Sequence, residues 1–548
     1  MSKSLDRRQF LRLSLGVAAA ATATACAGPT PTQAPAATAV PPTKAPAAPA
    51  ATAVPATPAP AATAVPPTAA PKAAAPAACP KGEICIKAST VKLPTDKVTF
   101  RWLDSGDTKA VFWKEFFKKY QEAHPNITCQ YDGLPWNEIA KIVPLGIQNG
   151  NLHDCFSIPL GITSAQAYSE GWLRAFDDLV PDLAELKKNF PPASFIEGIN
   201  VFGGKTYGLP HVTPKRTGTM LLYNQEYMDK AGFDPLAKPF SWEDYRAAAK
   251  KITEQGAGKY YGVIIGGNQL NRWGDVVQSL AEFASGIGQL DYRTGEYAYT
   301  QDAYIAAMEL LLAIKADGSF FPGYLSINAP QARAQIAQGA AGMILQGLWC
   351  LPQWKKDNPT FKWGAAHTPV FDPKKIFPRH ISSNAGAEMW IYAKSKNPEI
   401  AADILYYRAT LEGAYAWNKI CGISDTHLFP QALETASDDP RELNALKLQE
   451  GMFKLGPDPL IRNPEVAKVN LELKAITPNF NEVIQGLMSG QLTDVKKQFK
   501  DLADRANKEL DRAIKAAQDK GAKVSRDDYV FKNWDPTKDY TEADYKAL

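Results

Sequence analysis

Val98-Thr99-Phe100-Arg101-Trp102-Leu103, then Asp104-Ser105-Gly106-Asp107, then Phe112, Trp113, Phe116, Phe117 and Tyr120, is the passage that decides the fold. The first six residues read as a strand, and the polar Gly-containing quartet ends it. The five aromatics that follow share one face at the 3.6-residue period of a helix. Ile127–Tyr131 reads as a second strand and Cys155–Ile158 as a third. Short apolar runs alternating with helical patterns predict an α/β fold of βα units with a mainly parallel sheet. Ligands in such sheets sit beyond the carboxyl ends of the strands. That rule places Asp104–Thr108, Leu134–Asn137 and Leu160–Ser164 on one functional rim.

Working outward, 548 residues at 45% hydrophobic and 22% charged supply two or three cores. The formal charge is +4, and the first 25 residues carry a net +3 of it (Lys3, Arg7, Arg8 and Arg12 against Asp6), leaving +1 for the rest. That balance offers no footprint for a nucleic-acid backbone. Nor does any apolar run reach the roughly 18–20 residues of a spanning helix.

Leu5–Ser14 (LDRRQFLRLS) with the mild apolar run Leu15–Ala25 reads as an export signal over residues 1–25. Its Arg7-Arg8 pair with Phe10 and Leu11 resembles a twin-arginine signal, a Sec signal being the alternative. Ala23-Thr24-Ala25-Cys26 resembles a lipobox that would leave Cys26 acylated; plain cleavage is its alternative. Residues 26–79 are almost all Ala, Pro and Thr, with AATAVP at Ala36–Pro41, Ala50–Pro55 and Ala61–Pro66. This composition has nothing large to bury and favours extended, PPII-like states. As a tether it would reach on the order of 150 Å. Of the other six cysteines, Cys79 and Cys85 could close a small loop. Cys129–Cys155 and Cys350–Cys421 are further possible pairs, against buried thiols, among fifteen connectivities.

Gly203–Pro210 (GGKTYGLP) leads into Leu221–Pro235 (LLYNQEYMDKAGFDP) and then Ser241-Trp242-Glu243-Asp244-Tyr245 with a helix to Thr253. Gly339–Trp349 (GAAGMILQGLW), Ser382–Ala393 (SSNAGAEMWIYA) and Asn397–Gly422 follow in order. This ordered set, over about residues 95–425, resembles the family 1 extracellular solute-binding proteins that feed carbohydrate ABC importers. The resemblance implies a periplasmic-binding-protein-like (type II) fold for 80–548: two α/β lobes joined by crossing hinge strands. Lobe 1 would hold about 95–210 and 388–425, and lobe 2 about 211–387 and 426–525. It further implies a monomeric, lipid-anchored receptor on the outer face of the cytoplasmic membrane. Such a receptor hands sugar to permease subunits served by a separate ATPase.

Sugar recognition needs aromatic faces for pyranose CH groups and planar polar groups for hydroxyl pairs. Trp349 matches the family's stacking tryptophan after glycine, Trp273 sits where another ring is often presented, and Asp107 matches an acidic sugar contact of the maltose-binding branch. Core packing is the alternative for the rings, and a solvated helix cap for Asp107. Trp136 on the second rim loop, Trp390 and Glu388 by a crossover, and Asn384 and Arg216 near the crossing strands complete the candidates. Trp242 is expected to pack a helix start instead. Leu492, Val495, Phe499, Leu502, Ala506, Leu510 and Ile514 form one helical stripe stopped by Gly521, and Tyr529, Phe531 and Trp534 beyond it are expected to pack on a lobe.

No catalytic, metal or cofactor motif stands out. HExxH and GxSxG are absent, and Gly203-Gly204-Lys205-Thr206 lacks the first glycine of a P-loop, Ile199 standing in its place. Gly286-Ile287-Gly288 lacks the third glycine of a dinucleotide fingerprint. A secreted carbohydrate-active enzyme, with two carboxyls about 5–5.5 or 6.5–9.5 Å apart, is one rival. A receptor for peptide or polyamine is the other, polyamine requiring a strongly acidic, aromatic-poor cleft.

Overall fold

The computed structural model describes residues 79–191, 194–382, 389–424 and 426–548. The expected export signal, Cys26 and nearly all of the tether lie outside them, as do Asn384 and Glu388.

Two four-stranded sheets organise these residues. The first starts with β1 (Val98–Ser105), α1 (Lys109–Ala123), β2 (Ile127–Leu134), α2 (Trp136–Asn149) and β3 (Cys155–Phe156). The second collects β4 (Met220–Asn224), α3 (Trp242–Gly256), β5 (Tyr261–Ile264), α4 (Asn271–Ser285), α5 (Asp302–Ala316), α6 (Ala329–Ala337), β6 (Ala341–Gln346) and β7 (Trp363–Ala366). The chain then returns to the first sheet with β8 (Trp390–Ile391), α7 (Pro398–Arg408) and α8 (Leu411–Cys421), and ends in helices that include α9 (Phe480–Ser489) and α10 (Val495–Asp519). Strand order is β8-β3-β1-β2 in the first sheet and β7-β4-β6-β5 in the second. In the first, β1 runs parallel to β2 and β3, with β8 antiparallel at the edge. The second departs from the mainly parallel expectation: only β6 and β5 are parallel, and β4 runs antiparallel to both β6 and β7.

Pleating explains why β1 is apolar on both faces. Phe100 and Trp102 face α1 and α8, where Phe112, Trp113 and Trp417 pack. Leu103 faces Ile139 and Val143 of α2. The centroids of Trp102 and Trp113 lie 4.3 Å apart, and Phe112 meets Trp417 edge-on at 4.9 Å. Asp104 continues the Trp102 face and is 1% exposed. Its carboxylate accepts from Lys109 Nζ (2.8 Å), Trp113 Nε1 (2.9 Å), Ser157 Oγ (2.8 Å) and the Ser105 amide (2.7 Å).

The second lobe has its own core around Tyr223, Trp273, Met343, Phe480 and Phe499. Trp242 opens α3 behind a Ser241/Asp244 capping box, and its indole packs edge-on against Phe371. From Val495 on, the C-terminal stripe is one helix, α10, with Leu492 lying before its start: Phe499 and Leu502 bury in the second core, while Leu510, Ile514 and Ala517 pack with Ile196, Val466 and Val469. Tyr529, Phe531 and Trp534 are buried too.

Cys79 and Cys85 are disulfide-bonded. The other two possible pairs are not formed. Cys129 and Cys155 are thiols on β2 and β3, which flank β1. Two strand spacings, about 9–10 Å, exceed the roughly 7 Å that a disulfide spans. Cys350 packs in the second lobe and Cys421 in the first.

Between the lobes, residues 211–213 cross antiparallel to 426–428: Thr213 N donates to Thr426 O at 3.0 Å and Leu428 N to His211 O at 3.2 Å. His211 and His427 are both buried here. The Phe429 amide donates to His427 Nδ1 at 3.1 Å, leaving Nε2 to donate to Arg408 O at 2.9 Å, so the ring is held neutral. Burial, reinforced by the Arg408 cation, holds both histidines well below the usual imidazole range.

The depressed histidines bind protons only on unfolding, so the fold loses stability as pH falls through about 6.5, by roughly 1 kcal/mol per histidine at pH 5.5. Urea unfolding at pH 7.5 and 5.5 reads the drop, and His427→Gln shrinks it. Separately, Lys109→Met takes a cation from beside a buried carboxylate and costs about 3 kcal/mol, whereas Asp104→Asn combined with Lys109→Met recovers part of that loss.

Candidate functional site

The carboxyl ends of the parallel strands in the two sheets meet across a cleft. From the first lobe come Ser105 at the end of β1, Asp107 just beyond it, Lys109 at the start of α1, Trp136 after β2 and Leu160 after β3. From the second come Arg216 just past the crossing segment, Gln269, Asn271 and Arg272 after β5, Pro330 and Arg333 on α6, and Gln346 and Trp349 at the end of β6. The deep part measures about 150 Å³. It opens to about 570 Å³ on the side of Thr108, Gln353 and Lys356, and to about 390 Å³ on the side of Ile158–Ile162 and Trp390.

Local sequence explains how each ring is aimed. The Trp349 indole folds back over Gly347, where an added Cβ would lie 2.2 Å from a ring carbon. Gly347 therefore admits the ring, and Gln346 Oε1 fixes it by accepting from Nε1 at 2.9 Å. Both Trp349 and Trp136 are half-buried, keeping ring surface toward the cleft. The Arg216 guanidinium lies 5.3 Å from the centre of one Trp349 ring, and Lys109 Nζ 5.5 Å from Trp136. Asp107 does not cap α1, which starts after Thr108 without a side-chain cap; its carboxylate instead accepts from Ser105 Oγ at 2.9 Å on the cleft wall. Arg272 donates from Nη1 to Gly218 O at 3.0 Å and pairs with Asp275. A side chain at position 218 would strike that guanidinium at 2.7 Å.

The structure thus brings Asp107, Trp136, Arg216 and Trp349 together, with Trp390 on the narrower of the two openings. Trp390 is 4% exposed and mostly packs with Leu103 and Phe156. Trp273 is a correction. It is fully buried in the second core, with Nε1 donating to Gly267 O at 3.0 Å and its ring edge-on to Tyr324. One residue along α4 turns the side chain by about 100°, so the neighbour Arg272 faces the cleft instead. Sequence reading missed Arg272, Arg333, Gln269, Asn271 and Gln346. For Arg333 there was a signal: on α6 it occupies an apolar stripe with Ala329, Ala332, Ile336 and Ala337, where a charge is out of place unless it meets something.

Among the described residues, Asp107 is the one carboxylate of the deep cleft, beside Lys109, Arg216, Arg272 and Arg333. No group of His, Cys, Asp and Glu suited to a metal occurs among them, and no described helix is long and apolar enough to cross a membrane.

Comparison with known proteins adds to this geometry. A binding protein of Brucella abortus (strain 2308) is 26% identical over 259 residues, 47% of this chain and 60% of its own length. An ABC transporter extracellular-binding protein of Pyrococcus horikoshii is 27% identical over 169 residues, 30% of this chain and 36% of that protein. The chain therefore spans less than two thirds of the curated relatives it matches. An ABC transporter solute-binding protein of Thermotoga lettingae, solved with α-D-tagatose, superposes with TM-score 0.57 at 20% identity, over 76% of this chain and 100% of that one. The Thermus thermophilus maltotriose-binding protein, solved with maltotriose, gives 0.54 at 19% identity, over 75% and 99%. At such identities the likeness is one of fold, a periplasmic-binding-protein-like α/β architecture. The family model for bacterial extracellular solute-binding proteins matches residues 105–407, more than half of the sequence, and the chain belongs to that family.

Proposed function

We propose that this protein is the extracytoplasmic receptor of an ABC importer, capturing a sugar or oligosaccharide between its lobes and releasing it to membrane permeases. The observation that carries this reading is the cleft itself. It sets half-buried Trp136 and Trp349 on opposite lobes, beside Asp107, Gln269, Asn271 and Gln346. Aromatic faces cover apolar sugar faces, and the carboxylate and amides accept from or donate to hydroxyl pairs. A ligand touching both walls gains contacts only when the lobes are close, so it stabilises the closed state by that difference. The crossing segments at 211–213 and 426–428 are where such a motion would turn. ATP hydrolysis belongs to a separate subunit in this scheme.

A polyamine is disfavoured because basic side chains outnumber acidic ones on the described walls. The sugar-bound state of the tagatose and maltotriose proteins supports a saccharide. The remaining site assignments, Asn384 and Glu388 included, are part of this proposal, as are monomeric action and attachment to the outer face of the cytoplasmic membrane through Cys26. The arginine pair and small-residue cysteine motif in the sequence support that anchoring, with residues 26–79 serving as the tether.

A thermal-shift screen of the full chain against mono- and oligosaccharides tests the reading, with a hundredfold excess over Kd stabilising by about 2.7 kcal/mol and the sugar recovered unchanged. Cleaved sugar would establish an enzyme, and silence across the panel with a response to peptides would replace the ligand class. Trp349→Ala should weaken binding roughly ten- to a hundredfold at little cost in stability. Trp273→Ala should instead cost about 3–5 kcal/mol of stability. Cys26→Ser should abolish incorporation of labelled palmitate and release the protein from membranes; unchanged labelling would rule out that anchor.

A further inference from the structure

We infer that the saccharide bound in this cleft is an acidic one, with a carboxylate or phosphate group seated against Arg333 and Arg272. This rests on the saccharide-receptor reading and names the ligand class of the same site.

Arg333 carries the inference. It is 3% exposed and lines both the deep cleft and its wider opening. Its Nε donates to Gln353 Oε1 at 2.8 Å. Among the described residues no carboxylate lies within ion-pairing distance of its guanidinium, although ion pairs are numerous elsewhere on the molecule. Taking a guanidinium out of water without a counter-charge is expensive, so a buried cation facing a cavity calls for an anion from outside.

The neighbours deepen the mismatch. Arg272, 6% exposed, spends Nη1 on Gly218 O and Nη2 on Asp275, while its Nε has no hydrogen-bond partner among the described residues. Burial first, and then the positive charges of Arg333 and Arg216, pull its pKa down to about 10. Lys109, by contrast, is committed to Asp104. Sugar hydroxyls would satisfy the remaining N–H donors of Arg333 but leave its guanidinium without a counter-charge among the described residues. An oxyanion does both, because planar guanidiniums fork onto carboxylate and phosphate oxygens. Trp136 and Trp349 stay available for the pyranose ring.

Calorimetry of the full chain tests this with four probes: a galacturonate disaccharide, its neutral galactose counterpart, a hexose phosphate and inorganic phosphate. The expected result is that at least one acidic probe binds about tenfold or more tighter than the neutral one, as a charge-assisted contact predicts. The preferred probe tells carboxylate from phosphate, and raising the salt concentration narrows the gap. Arg333→Gln, which removes a buried charge and should fold, is expected to bring the acidic-to-neutral affinity ratio close to one. Equal or tighter binding of the neutral disaccharide by the wild-type chain overturns the inference while leaving the sugar-receptor reading intact. An unchanged ratio in Arg333→Gln overturns the assignment to Arg333. Binding of inorganic phosphate with no response to any saccharide overturns both readings, as does silence toward all probes at millimolar concentration.

Discussion

The carboxylate of Asp104 fixes the wall on which the rest depends. It sits at the end of the central strand of the first sheet and accepts from the next residue's amide, from Lys109 and Trp113 of α1, and from Ser157 just past β3. One buried anion thereby decides where β1 stops, how α1 starts and where the neighbouring strand ends. Fully satisfied, such a cluster is rigid; missing a member, it is costly. Ser105, Asp107, Trp136 and Leu160 are presented to the cleft from this anchored edge. The signal for it, an acid ending an apolar strand ahead of an aromatic helix, stands in the passage Val98–Tyr120.

The second wall is built differently. Its strands β5 and β6 also direct their carboxyl ends at the cleft, but the contacts come from turns: Gly347 lets the Trp349 ring fold back, and Gly218 leaves room for Arg272. Preorganised rings lose little freedom on binding. The lobes are linked by the crossing segments at 211–213 and 426–428, where two histidines are buried, and the proposed closure would turn there.

The strand–helix opening, the aromatic helix face, the three rim loops and the C-terminal stripe were legible because each follows from a local period. Trp242 was legible through its Ser-Trp-Glu-Asp cap. Tertiary placement was not. Trp273 and Arg272 differ by one helical step, and only packing against Tyr324 and Gly267 decides which of them faces the cleft. The pairing of Cys129 with Cys155 failed because strand order puts β1 between them. The antiparallel β4 escaped the parallel-sheet expectation because the periodicity of a strand says nothing of its direction. Arg333 was visible as a charge in an apolar stripe, yet nothing local told what it faced.

The central claim is that both walls form one site whose occupancy draws the lobes together. The most direct measurement is the distance between fluorophores on exposed Lys118 of α1 and exposed Leu236 of the second lobe, followed during titration with a saccharide that binds. The account predicts a saturable shortening that tracks binding and is lost in Trp349→Ala. A distance that stays constant while the sugar saturates the protein would contradict it.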